Sequence, residues 1–134
     1  MSSIFTKIIV GDIPCYKVAE DAHNIAFLDI RPLKKGHTLC VPKVEVDELY
    51  ELPEEDYQRL MVFSQRVAKA LKKAVPCKRI GSMVLGMEVP HAHLHLVPIQ
   101  AEHELSFANK PLSLSSEEMM SIAASISNDL DFAE

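Results

Sequence analysis

Three histidines alternate with apolar residues in His91-Ala92-His93-Leu94-His95. On an extended strand successive side chains point to opposite faces. His91, His93 and His95 then share one face, while Ala92, Leu94 and Leu96 share the other, which is free to be buried. Alternate Cα atoms lie roughly 7 Å apart on such a strand. Three titratable rings this close suppress one another's protonation, because like charges disfavour the ionised form. At least one ring is then neutral near pH 7, and a neutral imidazole is a competent nucleophile towards phosphorus. Protonated neighbours would hold phosphate oxygens and stabilise the charge that spreads over them in the transition state. The run therefore reads as a phosphate-reacting site on a β-strand.

Two other readings compete. A single strand histidine is usually an inert, satisfied residue, but three on one face would all need partners for their ring nitrogens. Metal binding is the stronger competitor, since His-x-His on a strand presents two nitrogens to zinc. No acidic or thiolate residue within the run completes a tetrahedral set, although a further ligand such as His37 can come from elsewhere.

The elements that position this run are legible from periodicity and turn residues. The chain has 134 residues, enough for one domain with a real core. Residues 3–9 read as a short N-terminal helix, with Ile4, Phe5 and Ile8 at one-turn spacing. Segments 16–20, 24–30 and 37–41 read as strands, separated by a polar corner and by a Lys34-Lys35-Gly36 turn. A long helix follows Pro53, with Glu54, Glu55 and Asp56 at its positive end and Lys72 and Lys73 at its negative end. Its apolar stripe is Tyr57, Leu60, Met61, Ser64, Val67, Ala68 and Leu71. Segments 79–85 and 92–99 read as further strands. A last helix starts at Ser115, where Ser115 and Glu118 form a capping box, and its apolar face is Met119, Ile122, Ala123, Ile126 and Leu130. Five strands and three helices give an α+β domain over residues 1–105, with residues 106–134 as an extension packed on the core or on a partner.

Composition narrows the function classes. A net charge of −5 argues against a nucleic-acid surface, and no apolar run approaches the length of a membrane span. The N-terminus lacks the basic region and long apolar stretch of a secretory signal, so the expected location is cytoplasmic. Cys15, Cys40 and Cys77 form no Cys-x-x-Cys pair and are expected to be free thiols. No cofactor and no resident metal are expected.

Val89-Pro90-His91-Ala92-His93-Leu94-His95-Leu96-Val97-Pro98 resembles the signature of histidine triad (HIT) proteins. Segments 3–9, 13–14, 26–30 and 35–43 are similar to that family's N-terminal half in order and spacing, so the likeness covers residues 3–100. The resemblance implies a HIT-like fold with a five-stranded antiparallel sheet. It also implies a homodimer whose two sheets join, with each triad beside a purine-nucleotide pocket. The implied chemistry is nucleotidyl transfer or hydrolysis through a covalent nucleotidyl-histidine. By position His93 is similar to the nucleophile, His91 and His95 would orient it and contact phosphate, and His37 looks like the family's fourth histidine. Asp29 resembles the residue that holds the ribose hydroxyls. Ile4, Phe5, Ile8, Phe27, Ile30 and Leu39 resemble the pocket around the base; for Phe27 and Leu39 plain core packing is an equal alternative.

The chain departs from the family pattern in three places. Gly86-Met87 stands where the family commonly has Gly-Gln, no Asn occurs in the stretch 78–82, and no Arg follows Pro98. Each departure removes a polar partner for phosphate or leaving group, and Ser82 restores one hydrogen bond only if it faces the site. The expected substrate is a purine nucleotide, with a nucleoside phosphoramidate favoured over a dinucleoside polyphosphate. Arg31, Lys34 and Lys35 are few cations to clamp a long phosphate chain. A binding module with little catalysis, motivated by Met87, remains the alternative.

Overall fold

Ser3 opens the chain's first element. Its hydroxyl accepts the Thr6 N–H and caps helix α1, Ile4–Ile9. Strands β1 (Lys17–Glu20), β2 (Asn24–Leu28), β3 (Thr38–Pro42), β4 (Arg79–Met83) and β5 (Leu94–Ile99) follow, with α2 (Glu54–Ala74) between β3 and β4 and α3 (Ser116–Asn128) at the end. This is a computed structural model that describes residues 2–130, so positions 131–134 of the expected extension lie outside the described residues. The five strands form one sheet in the order β1-β2-β3-β5-β4, and every neighbouring pair is antiparallel. Inserting β5 between β3 and β4 carries the histidine run into the middle of the sheet.

The sheet sorts its side chains by parity. Ala26, Leu28, Cys40, Leu94 and Leu96 face α2 and α3 and join Leu60, Val67, Leu71, Met119, Ala123 and Ile126 in the main core. Ile25, Phe27, Leu39 and Val41 face the other way and are covered by Phe5, Ile8 and Ile9 of α1. In the antiparallel register Phe27 pairs with Leu39, Leu39 with His95, and His95 with Met83, so one cross-strand row runs along that second face. The helix ends match their charges, with Glu54, Glu55 and Asp56 in the first turn of α2 and Lys72 and Lys73 in the last. The α3 capping box between Ser115 and Glu118 forms as the sequence predicts, and Met119, Ala123 and Ile126 are buried against the chain's own core. Among the described residues no helix is long and apolar enough to cross a membrane.

Four strands are shorter than periodicity predicts, β1 by one residue and β2, β4 and β5 by two each, and one difference bears on chemistry. Strand β5 begins at Leu94, so His91 and His93 lie on the extended segment leading into it and not in the strand. The reason is the destination of their backbone donors. The Ala92 N–H donates to the Val46 carbonyl at 2.7 Å and the His91 N–H to Val89 at 2.8 Å, so this stretch bonds to loops and not to a neighbouring strand. Strand β2 ends at Leu28 and not at Ile30, because the Asp29 carboxylate turns back to accept the Arg31 N–H at 2.9 Å. Strand β4 ends at Met83, three residues short of the left-handed Gly86 at φ +72°.

Gly36 fixes the approach of His37 to the sheet. It has φ +89°, and a Cβ there would lie 2.8 Å from Leu71 Cδ1 and 3.0 Å from Val75 Cγ2. Backbone strain and a clash with the fully buried Leu71 act together, so Gly36→Ala should destabilise the fold by roughly 2 kcal/mol. Urea unfolding of the variant, read at pH 7.5, checks this; an unchanged midpoint would show the turn to be adaptable.

Candidate active site

The second face of the sheet carries four imidazoles in a continuous array. His93 and His95 stand edge to face with ring centroids 4.9 Å apart, and His37 lies 5.2 Å beyond His95. Phe5 from α1 meets His93 at 5.0 Å, His91 at 5.8 Å and Phe27 at 5.5 Å. The three alternating histidines therefore share a face, with Ala92, Leu94 and Leu96 opposite them in the main core. All four imidazoles are buried: His37 and His91 entirely, His95 and His93 with 5% and 7% of their surface exposed.

Fixed donors and acceptors around the rings decide which nitrogen of each neutral imidazole carries hydrogen. The Leu33 N–H can only donate, and it does so to His37 Nδ1 at 3.0 Å. His37 Nε2 therefore carries the proton and donates to His95 Nδ1 at 2.9 Å. That leaves the hydrogen of His95 on Nε2, as a donor. His93 Nδ1 faces the His91 carbonyl oxygen at 2.7 Å and must donate to it, so His93 Nε2 holds a lone pair. His91 Nε2 donates to the Pro42 carbonyl at 2.8 Å, and its Nδ1 receives the Ser3 hydroxyl at 2.7 Å. Among the described residues nothing bonds Nε2 of His93 or of His95, and neither nitrogen is sealed from solvent. One lone pair and one N–H are thus left open, side by side.

The other expected residues divide by position. Asp29 flanks the array, with Oδ2 3.6 Å from His37 Nε2, while its Oδ1 holds the turn at Arg31. Phe5, Ile8, Phe27 and Leu39 pack together beside His93, so Phe27 and Leu39 are core residues as well as the floor of the site. Ile4 and Ile30 are exposed, the latter by 77%. Met87 is 89% exposed. Ser82 does not face the array: it pairs with Leu96, on the helix-covered side, whereas Met83 is the neighbour of His95. Asp29, His37 and His95 bring one ligand atom each within 4.8 Å of one another and are the donor set available to a metal. In the neutral array, however, Leu33 occupies the lone pair of His37 at Nδ1 and the proton sits on Nε2, an arrangement suited to donation and not to ligation.

One site residue escapes sequence reasoning. Phe107 stands edge-on to His95 at 5.1 Å and lies 6.2 Å from His37, with 45% of its surface exposed. The segment after β5 is held over the sheet by Lys34–Glu104 at 2.8 Å and by the Leu112 N–H on the Pro32 carbonyl at 2.8 Å. The one available signal is that Phe107 is the sole Phe, Tyr or Trp between Phe63 and Phe132.

A family model for the HIT domain matches residues 10–102. The chain belongs to the histidine triad family. It is 34% identical over 132 residues to an adenosine 5'-monophosphoramidase of Schizosaccharomyces pombe, covering 97% of this chain and 99% of that one. It is 37% identical over 100 residues to an adenosine 5'-monophosphoramidase of Saccharomyces cerevisiae, covering 74% of this chain and 63% of the relative. The crystal structure of a HIT-like protein involved in cell-cycle regulation from Bartonella henselae superposes with a TM-score of 0.83 at 30% identity, covering 96% of this chain and 97% of that one.

Within this HIT site His37, His93 and His95 are driven towards the neutral form, which corrects the expectation of protonated neighbours for these three rings. Burial lowers His95 to about 3, reinforced by the charges of His93 and His37. Burial also lowers His37, against the opposing charge of Asp29, and lowers His93, against the His91 carbonyl that favours its charged form. Packing these three rings under α1 and Phe107 removes the water that would solvate a cation, and this outweighs the nearby carboxylate. The hydrogen-bond donors this array offers on these rings are therefore N–H groups of neutral imidazoles.

These shifts set the acid side of the stability curve. The folded values lie below 6.5, so the unfolded chain binds more protons in that window. Stability is then complete above pH 6.5 and falls as pH drops, before carboxylates with ordinary values near 4.5 contribute. Urea midpoints measured from pH 7 to 5 should decline, and the slope should be shallower in His95→Asn. A flat profile in the parent protein would contradict the neutral array.

Proposed function

We propose that this protein is a nucleotide hydrolase or nucleotidyl transferase that acts at the α-phosphorus of purine nucleotides, with nucleoside phosphoramidates as the favoured substrate class. The observation that carries the proposal is the open lone pair on His93 Nε2, opposite an Nδ1–H already committed to a carbonyl. Attack by this lone pair forms an Nε2–P bond and breaks the P–N bond. The departing nitrogen takes up one proton. His95, neutral with a value of about 3, serves as a hydrogen-bond donor to phosphate and not as the net source of that proton, which comes from solvent at the open side. The His93 ring is cationic once phosphorylated, and the His91 carbonyl at 2.7 Å stabilises that charge. Water then adds to phosphorus and gives up one proton to solvent, the Nε2–P bond breaks to release the nucleotide, and its electron pair returns to Nε2.

His37 fixes the proton of His95 on the side that faces substrate. The base would lie against Phe5 and Ile8, with Ile4 and Ile30 at the exposed margin and Phe27 and Leu39 beneath. Asp29 would take the ribose hydroxyls through the oxygen left free by the Arg31 turn. Two adenosine 5'-monophosphoramidases among the relatives support the substrate class. The chain would act as a homodimer, as membership of the family suggests, with no nucleic-acid or membrane partner. Lys34 is paired with Glu104, which removes one of the few cations able to hold a polyphosphate and favours a phosphoramidate over a dinucleoside polyphosphate. A nucleotide-binding module with little catalysis is the second reading, favoured by the exposed, donor-free Met87.

His93→Ala should abolish hydrolysis of an adenosine phosphoramidate, by at least 1,000-fold on the order expected for loss of a covalent nucleophile, while AMP binding changes little. Intact-mass analysis of the parent protein mixed with substrate should show a nucleotidyl adduct that the variant lacks. Retained turnover in His93→Ala would overturn the assignment, and tight AMP binding without cleavage by the parent would decide for the binding module.

A further inference from the structure

Ser3 does more than cap α1. Its hydroxyl oxygen accepts the Thr6 N–H at 3.0 Å and lies 2.7 Å from His91 Nδ1. Its backbone N–H donates to Glu45 Oε1 at 2.9 Å, and the Thr6 hydroxyl donates to the same oxygen at 2.6 Å. Glu45 is held below the usual carboxylate range by these two bonds, and so remains an acceptor. The Ser3 hydroxyl hydrogen has two acceptors in reach, Thr6 Oγ1 at 3.3 Å and His91 Nδ1 at 2.7 Å. The nearer one needs a donor, because His91 Nε2 carries the ring hydrogen that meets the Pro42 carbonyl. Ser3 itself is buried, 7% exposed, as is the ring it meets.

We propose that Ser3 is a positioning residue for the reacting histidine, acting through His91. The inference rests on His93 as the attacking ring. His91 is pinned at both ring nitrogens, by Ser3 on one side and the Pro42 carbonyl on the other. Its backbone lies outside the ladder of β5, so these two side-chain bonds substitute for strand pairing in fixing its place. The carbonyl so fixed is the acceptor for His93 Nδ1–H. Loss of the Ser3 hydroxyl frees one edge of the His91 ring, loosens that carbonyl, and lets His93 populate the tautomer with hydrogen on Nε2, which cannot attack. Glu45 anchors Ser3 from the β3–α2 connection, so the start of the chain and that loop hold His91 together.

Ser3→Gly separates this role from capping, since glycine at a helix N-cap costs only a few tenths of a kcal/mol relative to serine. The backbone donor to Glu45 is retained in this variant. In the full chain kcat for adenosine phosphoramidate should fall roughly tenfold with KM within about twofold, the pattern of a lost transition-state interaction. Ser3→Thr, which keeps the hydroxyl, should restore kcat. Nitrogen NMR of the His93 ring should show a single Nδ1–H tautomer in the parent and in Ser3→Thr, and a mixture in Ser3→Gly. A parent-like kcat and tautomer in Ser3→Gly would overturn the proposal, and so would a loss that Ser3→Thr does not restore. If the parent bound AMP without cleaving the phosphoramidate, the hydrolase reading would fail separately, and the His93 tautomer in Ser3→Gly would still decide the role of Ser3.

Discussion

The hydrogen bond from His93 Nδ1 to the carbonyl of His91, 2.7 Å long, constrains everything else in the site. A carbonyl has no hydrogen to offer, so it selects one tautomer of the ring and leaves the opposite nitrogen basic. The same logic recurs at His37, where a backbone N–H selects the other tautomer and directs a proton towards His95. Backbone groups thus set the protonation pattern of side chains, and backbone positions are set by the fold. The break between loop and strand at Leu94 places the His91 carbonyl where the ring of His93 can reach it, because it is not committed to a neighbouring strand.

Burying four imidazoles on one face has an electrostatic consequence. His37, His93 and His95 are driven towards their neutral forms by loss of water, and His95 is lowered to about 3 by burial, with the charges of His93 and His37 adding to it. An array of neutral rings cannot hold an anion by net charge. It can hold phosphate oxygens by directed N–H groups, which discriminate by geometry more than by charge. Of the cations singled out near the array, Lys34 is engaged with Glu104. On the proposed function such a site would suit a phosphorus centre of low charge.

Much of this was legible in the residues. Parity alone placed His91, His93 and His95 opposite Ala92, Leu94 and Leu96, and the capping box at Ser115 located the last helix, because both signals depend on neighbours within a few positions. Periodicity could not show that pairing begins only at Leu94, since the partners of Ala92 and His91 are loop carbonyls distant in sequence or bent back locally. The expectation of protonated neighbours failed for a related reason: desolvation depends on what covers the rings, and Phe5 and Phe107 come from opposite ends of the domain. Asp29 pointed to the site, but part of its purpose is the turn at Arg31. Ser82 was assigned a face only by the register of β4 on β5.

Phe107 and Ser3 show how a site on a central strand is finished by segments that lie outside the sheet. The sheet supplies the row Phe27, Leu39, His95 and Met83, whose spacing is fixed by antiparallel register. A flat row by itself would leave its imidazoles in water, where they would titrate near their ordinary values. Covering it from one side with α1 lowers the local dielectric and brings a hydroxyl to His91; covering it from the other with the segment after β5 sets Phe107 against His95. Neither cover seals the row, and the Nε2 atoms of His93 and His95 stay open. The open lone pair on His93 is therefore a property of incomplete burial: enough surrounding protein to fix the tautomer of the ring, and a gap at Nε2 through which, on the proposed function, phosphorus would approach.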